Sequence, residues 1–510
     1  MIGFLTFRGL DVVVILVFLL AMAGMGVFFS KKNKSTEDYF LGGRSFPGWA
    51  IGLSMIGTSL SSVTFLALPA AAYVLDMRFC SQYLLFPFIL IVSLVVFIPF
   101  FRRAKITSAF EYLESRFGRV VRGYAALSFI VLQVIRLSTV LYLVSVPVAQ
   151  LSGQPSLLVI LVGGIIISFY TVLGGIEAVI WTDVVQTLIL IGGGVLCFVM
   201  ILIELPGGLG EVIRVGVADH KISLGPTEWS LNERTMWVMM FVGGLGFLGA
   251  SCADQNVVQR YLAAKSMREA RKASSICVGV SLLTWWFFIF LGVCLYVYFK
   301  AVPDAAVADM SPEDILPFFI LTRVPAGIAG LIIAAVLAAA MSSLDSSINS
   351  VTTVATVDFL KPYFAKARSE EYYLKWAKGC SLLVGVVMIG GAMVFHYIPR
   401  ESMNDLAMIL ASLFGGCTMG LFLVGFFSMR VDNVGAVSGL VASVLFNLYL
   451  LFNAFGWLPE ALEWHVHSYL AGALVNLLFF ITAYLIALLR PGCQTKDLSG
   501  LTVWTVNKES

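Results

Sequence analysis

Charge is scarce in this chain. Asp, Glu, Lys and Arg make up 12% of its 510 residues, about half the share of an ordinary soluble domain. That is too little polar surface for a water-soluble body of this length. Cysteine occurs eight times and never as CxxC, so the commonest zinc and dithiol signatures are missing, and the scattered thiols read as packing residues. Histidine occurs four times. Only His465 and His467 fall close together, in an expected outer loop where a solvated pair is the simpler reading. HExxH and GxSxG are absent and no histidine cluster falls on an apolar run, so a membrane enzyme has no visible catalytic set. The longest polar segment is 205–234, which argues against a receptor or sensor with an appended soluble domain. The net charge of +3 is too small for a nucleic-acid footprint.

Apolar length fills the rest. The chain is 59% hydrophobic, with a mean hydropathy of +0.93. Thirteen apolar runs recur, at 9–29, 46–74, 80–101, 121–151, 155–174, 177–204, 235–262, 273–300, 325–358, 375–398, 403–428, 433–455 and 466–489. Each can cross a ~30 Å hydrocarbon core as a helix. They are continuous rather than alternating, which argues against a β-barrel. An N-terminus outside places 24 of the 33 Lys and Arg in cytoplasmic segments and eight in outer ones, the bias of a multi-pass protein of the inner (plasma) membrane with a cytoplasmic C-terminus. The first run is too long for a signal peptide, and Lys31, Lys32 and Lys34 follow it on the wrong side.

Two runs are interrupted by small and polar residues: Gly52 to Ser62 in the second and Gly243 to Ser251 in the seventh. They lie five spans apart and so cross in opposite directions, as in an inverted-repeat transporter. Close helix packing through small residues is the competing explanation. Unwound backbone at that depth is tolerated only where it lines a cavity or binds something.

The ninth run ends in AAAMSSLDSSINS, 338–350. Counting from Ala339, Ser342, Ser343, Ser346 and Ser350 share one helical face, with Asp345 beside them. Hydroxyls and carbonyls without imidazole or thiolate suit an alkali or alkaline-earth ion. A carboxylate in mid-membrane marks a functional pathway by default. A second one, Asp183, opens the sixth run near the same expected end of the bundle. The third buried charge, Arg136, interrupts the fourth run. It suits a protein carboxylate or an anionic solute equally well.

Four segments in order resemble the sodium/solute symporter family: 38–45 (DYFLGGRS), 170–186 (YTVLGGIEAV…TD…Q), 254–265 (DQNVVQRYLAAK) and 341–350 (MSSLDSSINS). One departure from the signature is Ile176, where Leu, Met or Phe is usual. The resemblance implies an all-α integral membrane protein with the LeuT-type five-plus-five inverted repeat, its first and sixth core helices broken, that takes up small solutes with Na+ by alternating access. It implies a principal sodium site at Gly57, Leu60, Ala339, Ser342 and Ser343. A second sodium, held in some members, falls on Asp183, Ser343 and Ser346. Asp345 stands where the two-sodium pattern has Ser or Thr, and a carboxylate there could strengthen a cation site or take a proton. Segment 60–67 with Arg136 is most similar to the bacterial sodium-coupled sialic acid symporters, which implies that Ser61, Thr64 and Arg136 hold a sugar acid's carboxylate, with Phe79 and Gln82 lining the pocket.

The expected organisation is an extra helix and basic linker (1–44), two repeats (45–204 and 235–430) flanking an outer loop (205–234), and two further helices with a cytoplasmic tail (431–510). The expected activity is sodium-coupled import of an anionic small molecule, sialic acid ahead of monocarboxylates, proline-like amino acids or sugars, and a channel after these. The expected partners are the solute, sodium ions and the lipid bilayer, with no nucleic acid and no obligate protein partner.

Overall fold

A computed structural model describes residues 9–30, 35–104, 106–230, 233–366, 368–398, 415–454, 456–463, 470–490 and 496–505. In chain order its helices are α1 (Gly9–Ser30), α2 (Thr36–Leu41), α3 (Gly48–Ser59) and α4 (Ser62–Val74), followed by the span α5 (Met77–Arg103), which opens on a 3-10 turn. Next come α6 (Ala109–Phe117), α7 (Arg119–Ser152), α8 (Ser156–Glu204), α9 (Gly208–Ala218), α10 (Met236–Ala253) and α11 (Gln255–Ala263). The last are α12 (Met267–Ala301), α13 (Pro312–Arg323), α14 (Ile328–Val354), α15 (Glu370–His396), α16 (Thr418–Phe427), α17 (Asn433–Ala454) and α18 (Ala471–Leu489).

Among the described residues, ten helices are long and apolar enough to cross a membrane, and eleven if the bent pair α3–α4 is one span. The 49-residue α8 is kinked at Gly175, whose φ of 59° suits glycine and which lies against Tyr39. This kink separates the runs expected at 155–174 and 177–204. The run expected at 403–428 lies outside the described residues before Gly415, as do His465 and His467.

α3 and α4 are bent by 54°. Before the bend, the Thr58 and Ser59 hydroxyls donate back to the Ser54 and Met55 carbonyls, at 3.0 and 2.8 Å, which competes with the helical ladder. Leu60 and Ser61 then take extended dihedrals, and α4 starts afresh.

The second break is not where the glycine run suggested. Gly243 to Ser251 stays helical within α10, and the chain breaks at Asp254 (φ −85°, ψ 118°). The glycines serve close packing instead: a Cβ on Gly243 would lie 2.7 Å from the Gln82 Cα, and one on Gly244 3.2 Å from the Leu85 Cβ. Asp254 ends α10 and caps α11 by accepting from the Asn256 N–H at 2.7 Å.

α14 is the hub. Its most apolar window is 83% buried, against 22% for α1 and α18. It packs on α8, α7, α1, α15 and α3. The serine face expected on this helix is therefore one part of a helix enclosed on nearly every side, with Ser347 and Asn349 buried as well.

Candidate functional site

The α3–α4 break meets α8 and α14 at Gly57. A Cβ there would stand 2.7 Å from the Thr187 Oγ1 and 2.9 Å from the Ser342 Oγ, so a side chain at this position would have to displace those hydroxyls. The Ser342 hydroxyl is buried without a hydrogen-bond partner among the described residues. The Ser343 Oγ donates to the Thr58 carbonyl at 3.4 Å. Leu60 and Ala339 are buried, one at the break and the other one turn before Ser343 on α14. A buried hydroxyl with an uncommitted oxygen beside interrupted backbone is a hard-oxygen environment, matched to an alkali cation.

Next to this lies a polar cluster in which the two carboxylates converge. The Asp183 Oδ2 accepts from the Ser54 Oγ at 2.5 Å and from the Arg260 Nη2 at 2.9 Å, and the Ser346 Oγ lies 3.4 Å away. Its Oδ1 has no partner among the described residues. Asp345 accepts from the Tyr170 hydroxyl at 3.0 Å and from the Thr182 hydroxyl at 3.4 Å. The Ser346 Oγ also lies 3.4 Å from the Asp345 Oδ1, so a single serine stands between the acids. The Thr58 and Ser346 hydroxyls, 3.0 Å apart, tie the cluster to the broken helix.

Arg260, Ser54, Thr58 and Tyr170 were not singled out by the sequence. Arg260 counted as a cytoplasmic charge because it falls at the very end of the run at 235–262, whereas it is 1% exposed. Its place in the 254–265 segment was the available signal.

The expected solute residues divide. Ser61 and Thr64 are buried together at the start of α4, where the Ser61 N–H donates to the Thr64 hydroxyl at 3.3 Å. Arg136 is half-buried midway along α7 and makes no ion pair among the described residues. Asp254, at the second break, lies within its electrostatic reach. Phe79 and Gln82 sit half-buried on the 3-10 turn of α5, with the Gln82 amide 4.0 Å from the Met239 sulfur. Among the described residues, no hydrogen bond joins Arg136 to Ser61, Thr64 or Gln82. A cavity of about 380 Å³ runs beside α7 and α10, lined by Gln133, Gly249, Asp254 and Asn476 among others.

A family model, Sodium:solute symporter family, matches residues 39–443. The chain belongs to that family. The symporter is 38% identical over 434 residues to the sodium/sialic acid symporter SiaT of Proteus mirabilis, covering 84% of this chain and 86% of the relative. It is 33% identical to the sodium/sialic acid symporter NanT of Aliivibrio fischeri over 94% of both chains. Among solved structures, the substrate-bound outward-open state of a Na+-coupled sialic acid symporter superposes with a TM-score of 0.87 at 34% identity, covering 95% of this chain and 98% of that one. The symporter thus has the all-helical LeuT-type fold with broken helices, works as a multi-pass membrane transporter rather than an enzyme, and uses sodium as its coupling ion for a small-molecule solute.

Proposed function

We propose that this symporter imports sialic acid with sodium. The observation that carries this reading is Arg136: a guanidinium midway along a spanning helix, with no ion pair among the described residues, in a chain similar to two sialate symporters. Burying such a charge is costly unless something binds it, and a fork of donors matches a carboxylate bidentately. Ser61 and Thr64 would offer hydroxyls from the outer half of the broken helix, and Phe79 and Gln82 would line the same pocket.

Sodium would occupy the set Gly57, Leu60, Ala339, Ser342 and Ser343, favoured by the unpartnered Ser342 hydroxyl. Asp183, Ser343, Ser346 and Asp345 would frame a second cation, favoured by the unpartnered Asp183 Oδ1. The repeats would span 45–204 and 235–430, with the N-terminus outside and the C-terminus cytoplasmic in the inner membrane. The basic bias supports that orientation, and the breaks at Leu60 and Asp254 support the pairing of repeats.

The test is sialic acid uptake into proteoliposomes with and without an inward Na+ gradient, at zero and at inside-negative potential. One Na+ with one carboxylate moves no net charge. Two Na+ move one, which gains ~2.3 kcal/mol per 100 mV. Sodium-dependent uptake that grows with voltage is the expected result. Absence of uptake under every gradient removes sialate, and monocarboxylates, proline and sugars are then screened.

A further inference from the structure

Among the described residues, Arg260 makes no hydrogen bond to the proposed solute residues or to the principal sodium set. It is among the most buried large side chains of the described residues. Its Nη2 donates to the Asp183 Oδ2 at 2.9 Å and the Ser346 Oγ at 2.6 Å, its Nε to the Ser54 Oγ at 3.0 Å, and its Nη1 to the Asn256 carbonyl at 2.9 Å. One guanidinium therefore joins α3, α8 and α14 to its own helix. The preceding residue does the same one turn further along α14. The Gln259 amide donates to the Phe40 carbonyl at 2.7 Å, Asn349 at 2.8 Å and Thr353 at 3.1 Å, and accepts from Ser350 at 3.0 Å. All of this hangs on a nine-residue helix that starts from the break at Asp254.

We propose that Arg260 is a positioning residue: the resident counter-cation of Asp183, and the latch that holds α11 across the cytoplasmic side of the cation site. The proposal rests on the reading that Asp183 and Ser346 serve a transported cation, and on the proposed orientation. Guanidinium and Na+ then share one carboxylate, the first on Oδ2 and the second drawn to the unpartnered Oδ1. Each cation weakens the carboxylate's hold on the other, and linkage makes this effect reciprocal. Sodium arriving at Asp183 thus loosens Arg260 from α3, α8 and α14. The break at Asp254 lets α11 swing without unwinding α10. Release of the latch follows cation binding, which is what strict coupling demands.

The test uses the full-length symporter and two readouts. The first is Na+ half-saturation, read from the thermal shift with Na+ titrated against choline in the absence of solute. The second is sialic acid counterflow in proteoliposomes without Na+. Arg260→Gln is expected to bind Na+ about tenfold more tightly, since Asp183 has lost its resident cation; that equals ~1.4 kcal/mol. It is also expected to show counterflow without Na+, because the latch is gone. Arg260→Lys keeps the charge and is expected to stay within about threefold of the parent in Na+ half-saturation, less than ~1 kcal/mol. A merely structural arginine would lower melting temperature and yield but leave Na+ half-saturation and strict coupling unchanged, and that result overturns the proposal. Where Arg260→Gln does not fold, Asp183→Asn/Arg260→Gln removes both charges together. Counterflow without Na+ is expected there too, and strict sodium dependence overturns the latch. A parent protein that exchanges no sialate sinks the solute reading, while the Na+ titration still decides Arg260.

Discussion

Two arginines lie in the apolar body under opposite conditions. Arg260 is 1% exposed, and every stretch of its fork is engaged, on Asp183, Ser54, Ser346 and its own helix. Arg136 is half-buried on a continuous 34-residue helix with no ion pair among the described residues. A guanidinium with all its partners inside the protein holds the protein together; one whose fork is left open has donors to offer to a partner from outside, as proposed for Arg136. The membrane sharpens the distinction, because water at that depth is not a general substitute for a partner.

Removing the carboxylate from the closed pair is the harshest way to break this comparison. Asp183→Ala leaves the buried Arg260 without the carboxylate it is paired with, and such a loss costs ~3–5 kcal/mol. The expected outcome is a large fall in melting temperature in detergent, partly restored by adding Arg260→Gln. A stable single variant would show that the pair is not closed as described. The open arginine is expected to behave the other way round. Arg136→Gln should change melting temperature little and weaken solute affinity by ~2–4 kcal/mol, the scale of a lost buried charge pair. Full affinity in a saturation-uptake assay would remove Arg136 from the solute site, and a large loss of stability would place it with Arg260.

The sequence showed one of these arginines and hid the other for the same reason. A charge inside an apolar run is conspicuous, so Arg136 stood out. Arg260 falls at the end of the run at 235–262 among polar neighbours and looked like one more cytoplasmic charge. Arg122 was counted the same way, and it is buried and donates to Asp358 at 2.7 Å. Spans are legible because apolar length is a local property, and the first break is legible because the small and polar run from Gly52 to Ser62 covers it. The second break was misplaced because glycines mark both unwound backbone and close packing. The unbroken helix through Gly243 to Ser251 and the close approach of Gly243 to Gln82 and Gly244 to Leu85 tell which use they have here. That Asp183 and Asp345 approach the same serine is a tertiary fact; spacing placed them at one end of the bundle and no further.

The gentlest probe of the contrast between closed and open groups is Ser342. Its hydroxyl is buried and has no partner among the described residues, while its neighbour Ser343 donates to the Thr58 carbonyl. Deleting a hydroxyl that satisfies nothing in the protein leaves no group behind without a partner, so Ser342→Ala should be nearly neutral for the fold. An oxygen taken from the proposed five-residue cation set is a different loss. The expected outcome is a Na+ half-saturation raised about tenfold, ~1.4 kcal/mol, with the melting temperature in Na+-free buffer unchanged. Ser343→Ala should lower that Na+-free melting temperature as well, because it leaves a buried carbonyl without one of its donors. If both variants shift stability and sodium dependence equally, Ser342 is an ordinary packing serine and the cation lies elsewhere on α14.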